Sequence, residues 1–260
     1  MKILSNKLKS DGYLPIKIPN ALINRVKQSV INDIKFKLKI KKETSFNFNN
    51  IKNLLLQLDD KKFNSLFGNY AQRQLSDKTP SLFNDWVSKN IKKITKDKQC
   101  CINYVNKNDL KINPKLSKYQ NMTYYRLVRQ SKKNDVGFLH RDCDFWSIDN
   151  LDKKIKGEFL AKKRWKIWLP LWGVNESNVL RMFKKSHTKK IRTKFLVKNG
   201  SIKPKIDTEQ LKKLKLKDLI SIENRKKYNA VLFHDKLVHY APPNSSSKIR
   251  SSFEFTIFAR

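Results

Sequence analysis

Phe233-His234-Asp235-Lys236-Leu237-Val238-His239-Tyr240-Ala241-Pro242-Pro243-Asn244 runs through Ser245–Lys248 into Ile249-Arg250-Ser251-Ser252-Phe253-Glu254-Phe255. Two prolines, an asparagine and three serines in succession make a turn, so the segment carrying His239 is expected to fold back onto the one carrying Arg250. Along the second segment Phe253, Phe255 and Ile257 alternate with Arg250, Ser252, Glu254 and Thr256. A period of two is that of a strand with one apolar and one polar face. The apolar face is expected to lie under helices and the polar face to line a pocket. An arginine buried on such a face needs a planar anion, and a carboxylate is its natural bidentate partner. The bland alternative is a surface arginine beside a turn.

About a hundred residues upstream, Gly137-Phe138-Leu139-His140-Arg141-Asp142 places an imidazole and a carboxylate two positions apart. On a strand those side chains share a face and can grip one ion from one side. A second histidine from another strand completes a facial triad that leaves coordination positions open. A histidine two residues from an aspartate is a common accident, so this pair alone says little. His239, one turn away from Arg250, gives it weight.

Outward from these segments the chain divides by period. Residues 1–98 read mainly as helix. Asn20 is placed to cap a helix with Leu22, Val26, Val30, Ile34 and Leu38 on one stripe, a second runs from Asn49 to Leu58, and Thr79-Pro80 opens a third with Leu82, Phe83, Trp86, Val87, Ile91 and Ile94 apolar. Residues 99–260 read as short strands. Those expected are Cys100–Val105, Asn121–Arg129, Gly137–Asp142, Arg164–Leu171, Val179–Phe183, Leu219–Glu223, Ala230–Phe233, Leu237–Tyr240 and Ile249–Phe258, with turn-rich connections at 131–135, 184–194 and 198–205. Helices followed by many strands imply an α+β chain: an antiparallel sandwich or small barrel with helices packed on one face, in a single domain over 1–260.

The chain carries 58 Lys and Arg against 22 Asp and Glu, a formal charge of +36. That excess points towards polyanions, and a basic nucleic-acid-binding protein without catalysis is the rival reading. The basic residues are spread along the whole chain, with no helix-turn-helix, RNA-recognition or zinc-finger pattern, so nucleic acid is the less favoured partner. A positive field does favour an anionic small-molecule substrate. Three cysteines form neither a zinc pattern nor a disulfide framework, and with no leader-like N-terminus a reducing cytoplasm is the expected location. No apolar run reaches the roughly 18 residues of a membrane span.

His140-x-Asp142, His239 and the Arg250-x-Ser252 pair together resemble the phytanoyl-CoA dioxygenase-like group of 2-oxoglutarate-dependent oxygenases. Lys166-Ile167-Trp168-Leu169-Pro170-Leu171 is similar to that family's Trp-x-Pro-Leu strand, Asn178-Val179-Leu180 to its Asn-Gly-Leu turn, and Ser186-His187 to its Pro-Gly-Ser-His hairpin. Arg126-Leu127-Val128-Arg129, Asp135-Val136-Gly137 and Phe145-Trp146 are closer to a bacterial branch from carbohydrate and aminoglycoside gene clusters, of the streptomycin-biosynthesis type. The resemblance covers residues 119–260. It departs at Lys184-Lys185, where the family has Pro-Gly, and at Val179, where it has glycine.

The resemblance implies a double-stranded β-helix (jelly-roll or cupin-like) core with iron at its open end. Fe(II) would be held by His140, Asp142 and His239, with both imidazoles neutral. The co-substrate 2-oxoglutarate would place its distal carboxylate on Arg250 and Ser252, with Trp168 a candidate wall of that site. Arg126, Arg129 and Trp146 are candidates for substrate contact, while His187 and His234 are expected to be bystanders. With O2 the expected outcome is hydroxylation of an unactivated C–H bond, releasing succinate and CO2, and a carboxylate at position 142 leaves no place for halide. A degenerate fold used only for binding would be free to lose the triad and Arg250, and both are present.

Overall fold

The computed structural model describes residues 2–40, 48–68, 72–75, 79–102, 111, 123–148, 163–198, 201–222 and 227–259. The helices are α1 (Lys2–Asp11), α2 (Asn20–Lys37), α3 (Phe48–Gln57), α4 (Asp60–Phe67), α5 (Thr79–Trp86), α6 (Lys92–Thr95) and α7 (Cys143–Ile148). A wider-wound turn, Val87–Ile91, joins α5 to α6. The strands are β1 (Tyr13–Ile16), β2 (Gln72–Gln74), β3 (Cys100–Cys101), β4 (Thr123–Val128), β5 (Lys163–Trp172), β6 (Arg181–Phe183), β7 (Thr193–Lys198), β8 (Ser201–Ile206), β9 (Leu219–Ser221), β10 (Ala230–His234), β11 (His239–Tyr240) and β12 (Arg250–Ala259). Seven strands form one sheet in the order β1-β10-β5-β12-β4-β2, with β3 also on β12; β11-β6-β9 form a second sheet and β7-β8 a separate hairpin. Every pairing in them is antiparallel. The chain is α+β.

Strand β12 organises the larger sheet, lying between β4 and β5 with Phe253 opposite Tyr125 and Leu169, and Phe255 opposite Thr123 and Ile167. Its apolar face meets the helices as expected. Phe83 of α5 packs its ring against Phe253 and Phe255, and these join Val26, Val30 and Ile34 of α2 and Ile51 of α3 in one core. Phe48 stacks on Trp172 at the end of β5 with centroids 4.2 Å apart. The opposite face holds a second apolar cluster, in which Trp168, Val231 and Phe233 of the large sheet meet Met182, Leu180 and Leu237. The stripe of α2 lands as the four-residue spacing predicts, with Val26, Val30 and Ile34 buried and Leu22 and Leu38 at its margins. Asn20 is not the cap; Pro19 precedes the first helical turn, and no side chain caps it.

Three expectations about local structure change. Gly137–Asp142 is not a strand, because only His140 makes a ladder contact and the chain then turns into α7. The turn-rich stretches around 184–205 contain the β7–β8 hairpin; its lysines obscured the alternation that Phe195, Val197, Ile202 and Pro204 share with them. β1 and β2 are too short to show a period against the helices around them. Parts of the expected strands at 100–105 and 121–129 lie outside the described residues. The lysines that replace Pro-Gly do build the tight turn: Lys185 takes the left-handed conformation at φ +64°, normally a glycine position.

The same constraint is met by a glycine at the end of β5. Gly173 has φ +63°, and a methyl group there would stand 2.1 Å from the carbonyl oxygen of Ile249, on the approach to Arg250. Gly173→Ala is therefore expected to lower stability by more than about 1 kcal/mol in urea unfolding. An unchanged midpoint would show that this close approach is relaxed in solution.

Candidate metal centre

The centre begins with two backbone hydrogen bonds. His140 N donates to His239 O at 3.1 Å, and His239 N donates to His140 O at 3.0 Å. Residues that exchange both bonds lie directly opposite each other, and their side chains leave on the same side. The rings stand 4.5 Å apart. Each ring then turns its Nδ1 to the carbonyl two residues back, His140 to Phe138 O at 2.5 Å and His239 to Leu237 O at 2.9 Å. Because a carbonyl only accepts, both Nδ1 atoms carry a proton, which in the neutral ring leaves the Nε2 lone pair for a ligand.

The freed nitrogens face one carboxylate. His140 Nε2 is 3.7 Å from Asp142 Oδ1, and His239 Nε2 is 3.6 Å from Asp142 Oδ2. Asp142 reaches this point from a turn, since its carbonyl accepts from Phe145 N at 3.1 Å and Cys143 N is tied to Asp235 O at 3.0 Å. Asp142 Oδ2 is buried and has no hydrogen-bond partner. Donors bound at about 2.1 Å can stand no more than about 4.2 Å apart, so these separations admit one ion. Among the described residues this is the one group of three such side chains whose ligand atoms all lie within 4.8 Å. Two imidazoles and a carboxylate on one side fit a divalent transition metal with open positions.

The electrostatics favour the ligand state. Burial alone would raise the Asp142 carboxyl, but Lys166, His239 and His140 overcome this and hold it well below the usual carboxylate range. Burial pushes His239 down to about 4, against the partial opposition of Asp142. Lys166 is the residue that the sequence reading missed as part of the centre. Its Nζ lies 4.0 Å from Asp142 Oδ2, and the side chain is buried. A lysine between Trp165 and Ile167 in a strand otherwise apolar from 165 to 169 was the available signal.

Arg250 lies on the same inner face of the sheet, 2% exposed. Its Nη1 donates to Asn178 O at 2.5 Å and to Pro242 O at 3.1 Å. Among the described residues no carboxylate pairs with it. Burial, aided by the charge of Arg126, lowers its pKa to about 9, so it remains a cation at neutral pH. Asn178 is itself locked, with its side-chain nitrogen on Gly173 O and Asn244 Oδ1. Asn244 in turn donates to Val128 O and Lys248 O, so the Pro-Pro-Asn turn and the Asn178 turn hold one guanidinium between them.

The remaining expected residues fall in different places. Ser252 is buried opposite Arg126 and Pro170. Trp168 sits in the inner apolar cluster, opposite Glu254. Arg126 reaches Glu254 at 3.7 Å. Arg129 lies elsewhere: its guanidinium is buried against Asp135 at 3.0 Å, meets Asp60 at 2.9 Å and covers the Phe63 ring. Those contacts tie β4 to α4. Trp146 is on α7, and its side chain lies outside the described residues. His187 and His234 pack on each other away from the triad, His187 bonded to Lys9 O and His234 beside Asp235. Ser186 accepts a hydrogen bond from Val238 N at 2.8 Å, fixing the strand entry to His239.

No protein-family model matches the sequence, and no curated protein matches it either. Solved structures do. EctD from S. alaskensis, in a crystal with 2-oxoglutarate and 5-hydroxyectoine, aligns over 100% of this chain and 76% of its own at 11% identity and a TM-score of 0.58. The carbocyclase SnoK from nogalamycin biosynthesis, described as non-heme and alpha-ketoglutarate dependent, aligns over 100% and 84% at 9% identity and a TM-score of 0.53. AviO1 from Streptomyces viridochromogenes Tue57 aligns over 100% and 94% at 11% identity and a TM-score of 0.50. The likeness is one of fold. EctD has also been crystallised with bound Fe.

The neutral state of His239 has a consequence for the metal-free protein. In the unfolded chain its imidazole titrates near 6.5, and in the folded chain near 4. Between those values the unfolded chain binds the extra proton, so this group's contribution to stability falls as pH drops from about 6.5 to 4. The loss is on the order of 3 kcal/mol across that window. A His239→Asn variant is expected to show a flatter stability profile there, read by urea midpoints at several pH values. Parallel profiles would mean that the ring is solvated and charged.

Proposed function

We propose that this chain is an Fe(II)- and 2-oxoglutarate-dependent dioxygenase that hydroxylates an unactivated C–H bond of a small molecule, releasing succinate and CO2. The observation that carries the reading is the presence of two features together. One is a two-histidine, one-carboxylate group whose ligand atoms lie within 4.8 Å of one another; the other is a buried arginine held by carbonyls with no carboxylate partner among the described residues. The first suits ferrous iron with open positions, and the second suits the distal carboxylate of a keto acid. The fold likeness to EctD and SnoK, whose structures carry or are named for 2-oxoglutarate, agrees with this. So does the resemblance of the motifs, in order, to the phytanoyl-CoA dioxygenase-like group. On this reading the two sheets are the faces of a double-stranded β-helix.

Bound iron and 2-oxoglutarate supply the oxidising chemistry with O2. The chain's part is position and protonation. His140 and His239 present lone pairs because backbone carbonyls hold their Nδ1 protons. Asp142 stays ionised beside Lys166. Arg250 and Ser252 would bind the co-substrate's far carboxylate, and Trp168 would wall it. Arg126 and Trp146 are the proposed substrate contacts, while Arg129 supports them through β4. Phe233, which belongs to an apolar cluster with Trp168 and Leu237, sets its ring against His239 and would exclude water on that side. The substrate we propose is a sugar or an anionic sugar conjugate, the reading that the gene-cluster branch and the positive charge favour.

Anaerobic addition of Fe(II) and 2-oxoglutarate is expected to produce a weak visible charge-transfer band. The Asp142→Ala, His239→Ala double variant should lose it, and Arg250→Met should weaken 2-oxoglutarate binding by about a hundredfold, the order expected when a buried charged partner is removed. A wild-type protein with no band, or a double variant that keeps it, refutes the assignment. Binding of single- or double-stranded nucleic acid that falls steeply with salt, with no band, would favour the non-catalytic reading.

A further inference from the structure

Two buried groups at the metal centre face each other without a hydrogen bond. Asp142 Oδ2 has no hydrogen-bond partner, and Lys166 Nζ, 4.0 Å away, makes no hydrogen bond among the described residues. A hydrogen bond from an ammonium to a carboxylate closes to about 2.8 Å, so this contact is one not yet made. The register aims the lysine at the centre. Lys166 lies in β5 directly opposite Phe233 of β10 and Thr256 of β12, and opposed residues in a sheet send their side chains to one face. Phe233 sets its ring edge against His239 from that face. Burial works against the Lys166 ammonium, but Asp142 more than offsets this and the group stays charged at neutral pH.

The carboxylate, for its part, is placed for two ways of holding an ion. Oδ1 stands 3.7 Å from His140 Nε2 and Oδ2 stands 3.6 Å from His239 Nε2, so each oxygen faces one imidazole. An ion drawn between the rings can take one oxygen or chelate both. Chelation uses a further coordination position, whereas a facial set of single donors leaves the opposite face to ligands. An oxygen that accepts a strong hydrogen bond is the weaker metal donor, and a charge-assisted bond from an ammonium is of the strong kind. Lys166 approaches from the Oδ2 side.

We propose that Lys166 is a positioning residue of the centre: in the metal-loaded protein its ammonium donates to Asp142 Oδ2, so that the carboxylate binds through Oδ1 alone and the position that chelation would take stays open. This deepens the dioxygenase reading and rests on it, since that reaction needs room on the metal for both co-substrate and O2. Lys166 touches neither of them; it acts through Asp142.

The test uses the full chain with Mn(II), a redox-stable substitute for ferrous iron, and no co-substrate. Three protein donors leave about half the positions of an octahedral ion to water, and a chelating carboxylate takes about a third of those. Lys166→Met, which fills similar space without charge or donor, is expected to bind Mn(II) with the water-proton relaxation per bound ion lowered by about a third. Lys166→Arg, which keeps a donor, should hold the wild-type value. In the wild type, the infrared difference between metal-free and Mn(II)-loaded protein should show the wide carboxylate splitting of single-oxygen binding. A lysine acting only as a nearby charge predicts otherwise: its removal would tighten Mn(II) binding, since like charges repel, and leave the relaxation unchanged. Unchanged relaxation in Lys166→Met, or an equal loss in Lys166→Arg, would overturn the proposal. So would the narrow splitting of a chelate in the wild type, which is readable whether or not the variants fold. A wild-type protein that binds no Mn(II) would instead remove the dioxygenase reading, and this inference with it.

Discussion

The reciprocal pair of hydrogen bonds between the backbones of His140 and His239 is the joint on which the centre depends. Neither residue lies in a long strand: β11 is two residues, and His140 meets it through a single bridge. Yet that bridge aligns two imidazoles from positions ninety-nine apart in sequence and points them the same way. Everything around it serves to keep the alignment. Ser186 pins Val238, Cys143 is tied to Asp235, and the β8 edge hydrogen-bonds Leu139. A short ladder contact of this kind is weak alone and is made reliable by what packs on both sides of it.

Around that joint the inner face is divided between apolar and charged surface. Trp168, Phe233 and Leu237 make a dry wall on one side, and Phe233 leans its ring edge against His239. On the other side Lys166 faces Asp142. The low dielectric created by the wall strengthens the attraction between them. It also explains why His239 is held neutral while Asp142 stays charged: burial disfavours the charged form of each, but only the carboxylate has a buried ammonium to offset it. Asp142 and His239 are thus held in the protonation states of metal ligands before any metal arrives.

The positive charge of the chain now has two components. Much of it lies on exposed lysines. A smaller part is buried: Lys166 stands beside Asp142, Arg250 is held by backbone carbonyls, and Arg129 is consumed in a buried ion pair with Asp135. Composition could not separate these components, because a lysine counts the same wherever it falls. Position in a strand could have: Lys166 stands in a stretch that is otherwise apolar from Trp165 to Leu169, where a solvated lysine has no place.

How much was legible beforehand follows from the range of the interactions involved. The period-two pattern of β12, the stripe of α2 and the turn at Pro242-Pro243-Asn244 are local, and each was readable from neighbouring residues because side-chain direction repeats with backbone geometry. The pairing of His140 with His239 could be expected from residue types. Whether they meet could not be known without the register. Gly137–Asp142 read as a strand and proved to be a bridge and a turn, since its conformation is imposed by His239 and Asp235 far along the chain. By itself the sequence determined the α+β division, the apolar faces and the candidate ligands, all set by short-range periodicity and side-chain chemistry. Only tertiary structure decided that His140 and His239 meet around Asp142 and that Lys166 stands beside it, because long-range strand pairing and packing, not local preference, place them there.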